Sequence, residues 1–347
     1  MRQTWLDVAK GVGIVLVVLA HVLTHSKWQW APEVFFAISL FYMPFFFVIS
    51  GYLFTASDRQ TLLSKRVRGL MIPYIAFLGL LIAGMLLVDL LHGEIPAPWQ
   101  VRELMTNAAW GGRNLTRELG VFWFVSCLFA TQLLYNEVAL LTKRPTDPVM
   151  LIFVAGAVAL AYVIQTSWPD IRSPLALSNV PLAIGAFWFG HLLREERLGA
   201  IAIVLAALAV FGISSAAALA GSDFTFSMKN TKFGPPILGL LLALAISATL
   251  LGLVRLVTRG LTEPMAPVAE LGKASLVIMF AHQFVHFTLR ESGLTSDIPL
   301  IVLSVGLPYL LYRLLKTSAV LSPWFLGQGS LSLSIDRMRR TLASRAR

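Results

Sequence analysis

The sequence predicts an all-α protein, a polytopic membrane bundle of about ten transmembrane helices. Hydrophobic residues make up 57% of the 347 residues and charged residues 13%, about half the share of roughly 25% found in soluble proteins. Mean hydropathy is +0.75. Lipid accommodates this much apolar surface, whereas a soluble fold cannot bury it. We therefore expect one membrane domain over residues 1–316, followed by a basic cytoplasmic tail over residues 317–347.

The predicted helices follow one another along the chain with short polar connections. Asp7 and Lys10 interrupt the first segment and no small-residue cleavage site follows it, so a retained helix is favoured over a signal peptide. The fifth segment is the shortest, and the sixth starts after Pro174 and contains Pro181. With a spanning length of about 20 residues, the segments are 5–23, 34–55, 69–91, 119–141, 149–165, 175–193, 199–220, 236–257, 268–289 and 298–316.

Lysine and arginine are distributed unevenly between the two sides of these segments. With a cytoplasmic N-terminus, nineteen of the 28 fall on the cytoplasmic side and eight on the other. Because basic residues concentrate in cytoplasmic loops, we expect both termini inside and an even number of spans. The net charge of +10 then serves orientation and contact with anionic lipid. No basic stripe with interleaved aromatic residues indicates nucleic acid.

The first helix carries two ionisable residues on one face. Lys10 and His21 are eleven positions apart, close to three whole turns, and so about 16 Å apart along the axis. They could line a pore with a cation at one mouth and a titratable base deeper inside, since imidazole suits base chemistry near neutral pH. The alternative is a Lys that extends to the interface and an interfacial His without a chemical role.

The ninth helix carries a second pair of histidines. His282 and His286 are four apart and share a face. A metal site is not predicted, because no third ligand lies nearby in the sequence and no glutamate completes a zinc-protease pattern. We expect these side chains to line a cavity or to be satisfied inside the core.

A basic run precedes the third helix. Lys65, Arg66 and Arg68 stand just before Pro73, on the predicted cytoplasmic side. Their cations could hold the phosphates of an anionic cytosolic ligand, or they could only set topology.

Small and aromatic residues mark three further positions. Ser50 and Gly51 form a small pair that would let another helix approach closely, and Trp123 lies in an aromatic cluster typical of an interfacial belt. Ser50 and Trp123 are also candidates for a cavity or acceptor site. The external loop 92–118 contains Trp99 and Trp110, which could stack on sugars or simply lie at the interface.

Five motifs, taken in order, resemble the acyltransferase 3 family of integral membrane acyltransferases, especially its sugar O-acetylases. They are WLDVAKGVGIVLVVLAHV, FYMPFFFVISGYLF, KRVRGLMIPY, FWFVSCLF and LGKASLVIMFAHQF. The resemblance covers the whole membrane domain and implies ten helices. It also implies transfer of an acyl group, usually acetyl from acetyl-CoA, to a hydroxyl of a glycan or glycolipid. Acetyl-CoA would be a substrate, and no permanently bound cofactor is expected.

The resemblance makes His21 the catalytic histidine and Lys10 its basic partner. Lys65 and Arg68 match the basic pair that, with Arg66, would bind the acyl donor. Many members carry arginine where this chain has Lys10 and Lys65, and lysine keeps the charge but loses the bidentate geometry. We expect acceptor selection by the membrane domain and its loops, and a location in the bacterial inner (plasma) membrane. The oligomeric state is not predicted.

Two mechanisms and two other classes of protein stay open, the weaker class being a structural partner in polysaccharide assembly. His21 could accept the proton of a sugar hydroxyl as it attacks the thioester, or it could form an acetyl-His intermediate. A secondary transporter or flippase for a polysaccharide precursor would also carry intramembrane Lys and His, although no inverted repeat with paired broken helices is evident.

Overall fold

The computed structural model describes residues 4–195, 200–261 and 263–329, so the predicted tail is described only as far as residue 329. Within these ranges the chain forms fifteen α-helices and one short antiparallel hairpin, β1 (Phe226–Ser227) with β2 (Lys232–Phe233). The helices are α1 (Thr4–Leu23), α2 (Ala31–Ser39), α3 (Tyr42–Tyr52), α4 (Arg59–Arg66), α5 (Ile72–Leu91), α6 (Pro98–Trp110), α7 (Phe122–Ala139), α8 (Pro148–Ser167), α9 (Val180–Glu195), α10 (Ala200–Leu219), α11 (Leu238–Gly260), α12 (Ala266–Lys273), α13 (Ser275–Glu291), α14 (Asp297–Thr317) and α15 (Ser322–Phe325).

All ten predicted segments contain helices, which confirms the polytopic bundle. Among the described residues, eight helical segments are long and apolar enough to cross a membrane, and the bent pair α12–α13 makes up to nine. The remaining predicted segment is α10, twenty residues without a charged side chain.

Three elements differ in shape from what hydropathy indicates. The second segment is divided into α2 and α3, and the ninth bends by 78° between α12 and α13. The loop 92–118 contains α6, which begins with Pro98 and whose Gln100 side chain accepts from the Ala97 backbone N–H at 2.7 Å. α6 ends at Gly111, whose φ of 68° is readily adopted by glycine. Local capping thus adds a helix that average hydropathy does not detect.

Consecutive spanning helices run between two ends of the bundle, which we name the Lys10 end and the His21 end after residues of α1. At the Lys10 end, the rings of Trp5 and Tyr52 lie 5.3 Å apart. At the His21 end, Ser26 donates to Asp297 over 2.6 Å, and Tyr42 lies against His21 with ring centroids 6.2 Å apart. α3 and α14 therefore run opposite to α1, as does α7, whose Tyr135 packs on Phe54 at the Lys10 end. α13 runs in the same direction as α1, because Gly272 just before it lies beside Asp7 and His282 lies beside His21.

Two glycines, one on each helix, bring α3 and α9 into backbone contact. A Cβ at Gly51 would lie 1.8 Å from the carbonyl oxygen of Phe187, and one at Gly190 would lie 1.9 Å from that of Val48. The close helix approach predicted at the Ser50–Gly51 pair is confirmed, because α3 and α9 cross there without room for a side chain.

Aromatic side chains fill the core between α5, α7 and α13. Phe280 stacks on Phe77 at 5.0 Å and packs on Phe122 at 4.7 Å. Phe122, Trp123 and Phe124 are all buried. The interfacial-belt interpretation of this trio is therefore wrong, because belt residues face lipid headgroups, whereas these rings pack inside the protein.

The first part of the predicted tail packs onto the bundle. Phe325 of α15 contacts Phe77 with ring centroids 5.0 Å apart. Gly327 approaches the backbone of Arg68 so closely that a Cβ there would lie 2.3 Å from the Arg68 carbonyl oxygen. The segment after α14 thus contacts the start of α5 and the basic run.

Candidate active site

The position of α1 is fixed by a crossing with α12 at the Lys10 end. A Cβ at Gly272 would lie 1.7 Å from the Asp7 carbonyl oxygen, and one at Gly11 would lie 2.0 Å from that of Val268. Two glycines, one on each helix, allow this contact between backbones. Since α13 continues from α12 after the bend, the crossing also determines where α13 meets the half of α1 that contains His21.

His21 meets a second histidine at the other end of α1. His21 Nδ1 lies 2.8 Å from the carbonyl oxygen of Val17 and 3.3 Å from Nε2 of His282. The ring centroids are 5.0 Å apart. His21 is partly exposed, whereas His282 is fully buried. The structure therefore joins two histidines that are 261 positions apart.

The other histidine of α13 lies one turn further along. His286 is 1% exposed, and neither ring nitrogen has a hydrogen-bond partner among the residues that the structure describes. Its ring lies 5.8 Å from that of His25. The expectation that His282 and His286 share a face matches this placement, and their part in a cavity or acceptor site stays a prediction.

Two polar side chains, whose proximity the sequence did not indicate, lie close to Gly120 at the His21 end. A Cβ on Gly120 would lie 2.7 Å from Gln283 Oε1 and 3.3 Å from Lys229 Nζ. Gln283 Oε1 is buried and has no hydrogen-bond partner among the described residues. The Lys229 amine donates to the Leu115 carbonyl over 2.6 Å. We call Gly120, Gln283 and Lys229 the Gly120 cluster.

Lys229 lies outside the spanning helices, in the connection between α10 and α11. Burial, reinforced by the nearby Arg113 guanidinium, lowers the pKa of its amine to about 8. It also lies within electrostatic range of His21. Lys229 is not part of any recognisable sequence motif, so only the fold shows that it lies beside α13.

The basic run lies at the opposite end from His21. Lys65 and Arg68 are exposed, and Arg66 is partly buried. The Nε atom of Arg66 is buried without a hydrogen-bond partner in the described part of the chain. Between α4 and α5, residues Val67–Met71 form one turn of π-helix, a feature frequent at functional sites. Lys10, partly buried, lies toward this same end.

Residues 3–315 match the model of a family described as an acyltransferase domain. The chain belongs to the acyltransferase 3 family. The resemblance of the five motifs is thereby confirmed, and the chain is an integral membrane protein with an acyltransferase domain.

One relative is the nodulation protein NolL of Sinorhizobium fredii, 29% identical over 194 residues. The match covers 52% of this chain and 45% of NolL, so the chain spans less than half the length of the curated relative it matches. No solved structure matches the chain.

In this member of the acyltransferase 3 family, two other predicted residues have no described hydrogen bond or ring contact with His21. Ser50 is half-buried near the Lys10 end of α3. Trp123 is buried in the first turn of α7, at the His21 end, where its ring packs on Phe124 with centroids 6.2 Å apart. Their assignment to a cavity or acceptor site stays a prediction. Within the described ranges, no group of three or more His, Cys, Asp or Glu side chains could hold a metal ion.

Proposed function

We propose that the protein transfers an acyl group, acetyl in the simplest case, from cytosolic acetyl-CoA to a hydroxyl of a glycan or glycolipid. One observation carries the proposal. A single acyltransferase 3 bundle places Lys10, Lys65, Arg66 and Arg68 toward one end and a paired histidine toward the other. Acetyl-CoA has its phosphates at one end and its thioester at the other, so it matches the separation between the basic residues and the paired histidines.

The donor binds with its phosphates at the Lys10 end. Exposed Lys65 and Arg68 can contact phosphate oxygens directly, because each charge-assisted hydrogen bond gains about 1.5–3 kcal/mol. Arg66 has a buried N–H without a described partner, which a bound anion could satisfy. Lys10 lies about 16 Å along the helix axis from His21, too far to touch it. Lys10 therefore contacts the donor rather than the histidine.

His21, at the other end of α1, is the reacting residue. As a general base it accepts the proton of the acceptor hydroxyl while the oxygen attacks the thioester carbonyl. The thiolate of coenzyme A leaves and takes that proton. The competing version, in which His21 itself attacks and forms an acetyl-imidazole, uses the same residue as nucleophile.

The acceptor approaches from the His21 end. The Gly120 cluster supplies an amide oxygen without a described partner and an amine, at most about 6 Å apart, and sugar hydroxyls can both donate and accept hydrogen bonds. In the predicted orientation, this end lies on the non-cytoplasmic side of a bacterial inner membrane, and both termini lie in the cytoplasm. Glycans or lipid-linked sugars exposed there are the substrates that we expect.

Purified protein in proteoliposomes tests the function directly. Labelled acetyl-CoA and candidate glycans are supplied, and acetylated glycan is measured. Turnover should fall by about 10²–10⁴-fold in His21→Ala, the usual contribution of a general base. His92→Ala, an exposed histidine outside the spanning helices, is the matched control and should keep wild-type turnover.

Two results would contradict the proposal. One is wild-type turnover in a monodisperse His21→Ala preparation. The other is movement of a glycan precursor across the vesicle membrane while the label stays on coenzyme A, which is the result that a transporter or flippase would give.

A further inference from the structure

The hydrogen-bond partners of His282 determine which of its ring nitrogens carries a proton. Its Nδ1 lies 2.8 Å from the carbonyl oxygen of Ile278 and 3.0 Å from that of Met279. Carbonyl oxygens only accept hydrogen bonds. Nδ1 is therefore the protonated nitrogen, and in the neutral ring Nε2 is an acceptor. This Nε2 is the atom that faces His21.

The same reasoning applies to His21. Its Nδ1 has two neighbours, the Val17 carbonyl oxygen at 2.8 Å and His282 Nε2 at 3.3 Å, and both are acceptors. His21 Nδ1 therefore carries its proton and shares it between them. Nε2, the other ring nitrogen of His21, is therefore unprotonated and has a lone pair.

We propose that His282 is a positioning residue, which acts together with the Val17 carbonyl to hold His21 in the orientation and tautomer whose Nε2 is the reacting atom. The inference deepens the proposed function and rests on it. Ile278 and Met279 orient His282, His282 orients His21, and the hydroxyl proton of the acceptor moves to His21 Nε2. The acceptor oxygen bonds to the carbonyl carbon, the carbon–sulfur bond breaks, and the departing thiolate takes the proton from Nε2.

The contact gains strength at the moment of proton transfer. Once Nε2 is protonated, His21 is an imidazolium, and its Nδ1–H bond to His282 becomes charge-assisted. The stabilisation is thus larger in the transition state than in the resting enzyme, which is the condition for an effect on kcat. The acetyl-imidazole route uses the same Nε2 lone pair, so the positioning role is common to both mechanisms.

A buried histidine that only satisfies the core would behave differently. Such a residue contributes to folding, and its loss lowers the amount or the thermal stability of the protein without changing the tautomer of His21. Variants that differ only in the location of their acceptor atom separate these two roles.

We choose His282→Asn and His282→Gln for this reason. The asparagine side chain reaches about as far as Nδ1 and leaves the position of Nε2 empty. The longer glutamine side chain can place an amide oxygen near Nε2. His191→Asn is the matched control, because His191 is a half-buried helical histidine at the Lys10 end whose Nδ1 lies 2.8 Å from the Tyr135 hydroxyl.

The expected kinetic pattern is specific. His282→Asn lowers kcat by about ten- to a hundredfold, the rate equivalent of one charge-assisted hydrogen bond, with an unchanged KM for the donor. His282→Gln recovers most of the turnover, and His191→Asn keeps wild-type turnover. Wild-type kcat in folded His282→Asn, or equal losses in the Asn and Gln variants, would overturn the proposal.

A spectroscopic measurement makes the inference independent of transfer activity. Nitrogen-15 NMR of histidine-labelled protein reports which ring nitrogen is protonated, and the His21 signals are assigned from their absence in His21→Gln. The Nδ1–H form should dominate in the wild type and in His282→Gln and should lose population in His282→Asn. An unchanged tautomer in His282→Asn would refute the positioning role even if acyl transfer is demonstrated. The expected tautomer without any transfer would instead refute the proposed function.

Discussion

Replacing Gly272 with alanine tests whether the α1–α12 crossing positions α1, the helix that contains His21. The added Cβ would lie 1.7 Å from the Asp7 carbonyl oxygen, and ordinary contact begins at 3.4 Å. Both partners are helix backbone, so the helices must separate by about 1.7 Å instead of turning a side chain aside, and overpacking of this kind costs about 1–3 kcal/mol. Because α1 carries both Lys10 and His21, the displacement also reaches the site.

The assay compares Gly272→Ala with Gly252→Ala in the same detergent. Gly252 lies in α11, and a Cβ added there would have no described atom within 4 Å, so alanine should be neutral or should stabilise the helix by about 1 kcal/mol. The monodisperse fraction after heating gives an apparent Tm, and labelled acetyl-CoA gives turnover. We expect a lower apparent Tm and a lower turnover for Gly272→Ala than for Gly252→Ala. Equal Tm and turnover in the two variants would refute the reasoning.

Three further predictions concern the donor, the topology and the acceptor. Arg68→Ala should raise the donor KM about tenfold or more. Arg68→Lys should raise it less, because lysine keeps the charge. An unchanged donor KM beside a raised acceptor KM would move the phosphate site elsewhere. In a Cys127→Ala background, a cysteine beside Trp110 should react with an impermeant thiol reagent in intact cells, and labelling only after permeabilisation would reverse the topology. Gln283→Leu should raise the acceptor KM by about tenfold, through loss of one or two hydrogen bonds, while a change confined to the donor KM would remove Gln283 from the acceptor site.

The helical segments were predictable because each is encoded locally. A span needs about 20 consecutive apolar residues, and α1, α8 and α11 follow that rule to within a few residues. The bend at Ala274 and the division between α2 and α3 were not predictable from hydropathy, because each segment as a whole is apolar enough to span a membrane and packing decides where it turns. The short helix α6 was missed because its amphipathic, capped sequence averages to loop-like hydropathy.

The site was predictable in part. Lys10 and His21 share a helix, so their spacing follows from the helical repeat alone, and the same holds for His282 and His286. The distance of 3.3 Å between His21 and His282 has no local signal, nor does the meeting of Lys229 and Gln283 at Gly120.

The sequence by itself determined the class of fold, the order of the helices and the family, because composition, apolar length and motif order are properties of the chain. It also predicted the histidine of α1 as the reacting residue. Only the tertiary structure decided which groups meet. Gly11 and Gly272 bring the backbones of α1 and α12 into contact, and α13 then carries His282 to the side of His21. Contacts between residues far apart in the chain depend on how whole helices pack, and that packing is set by many side chains at once.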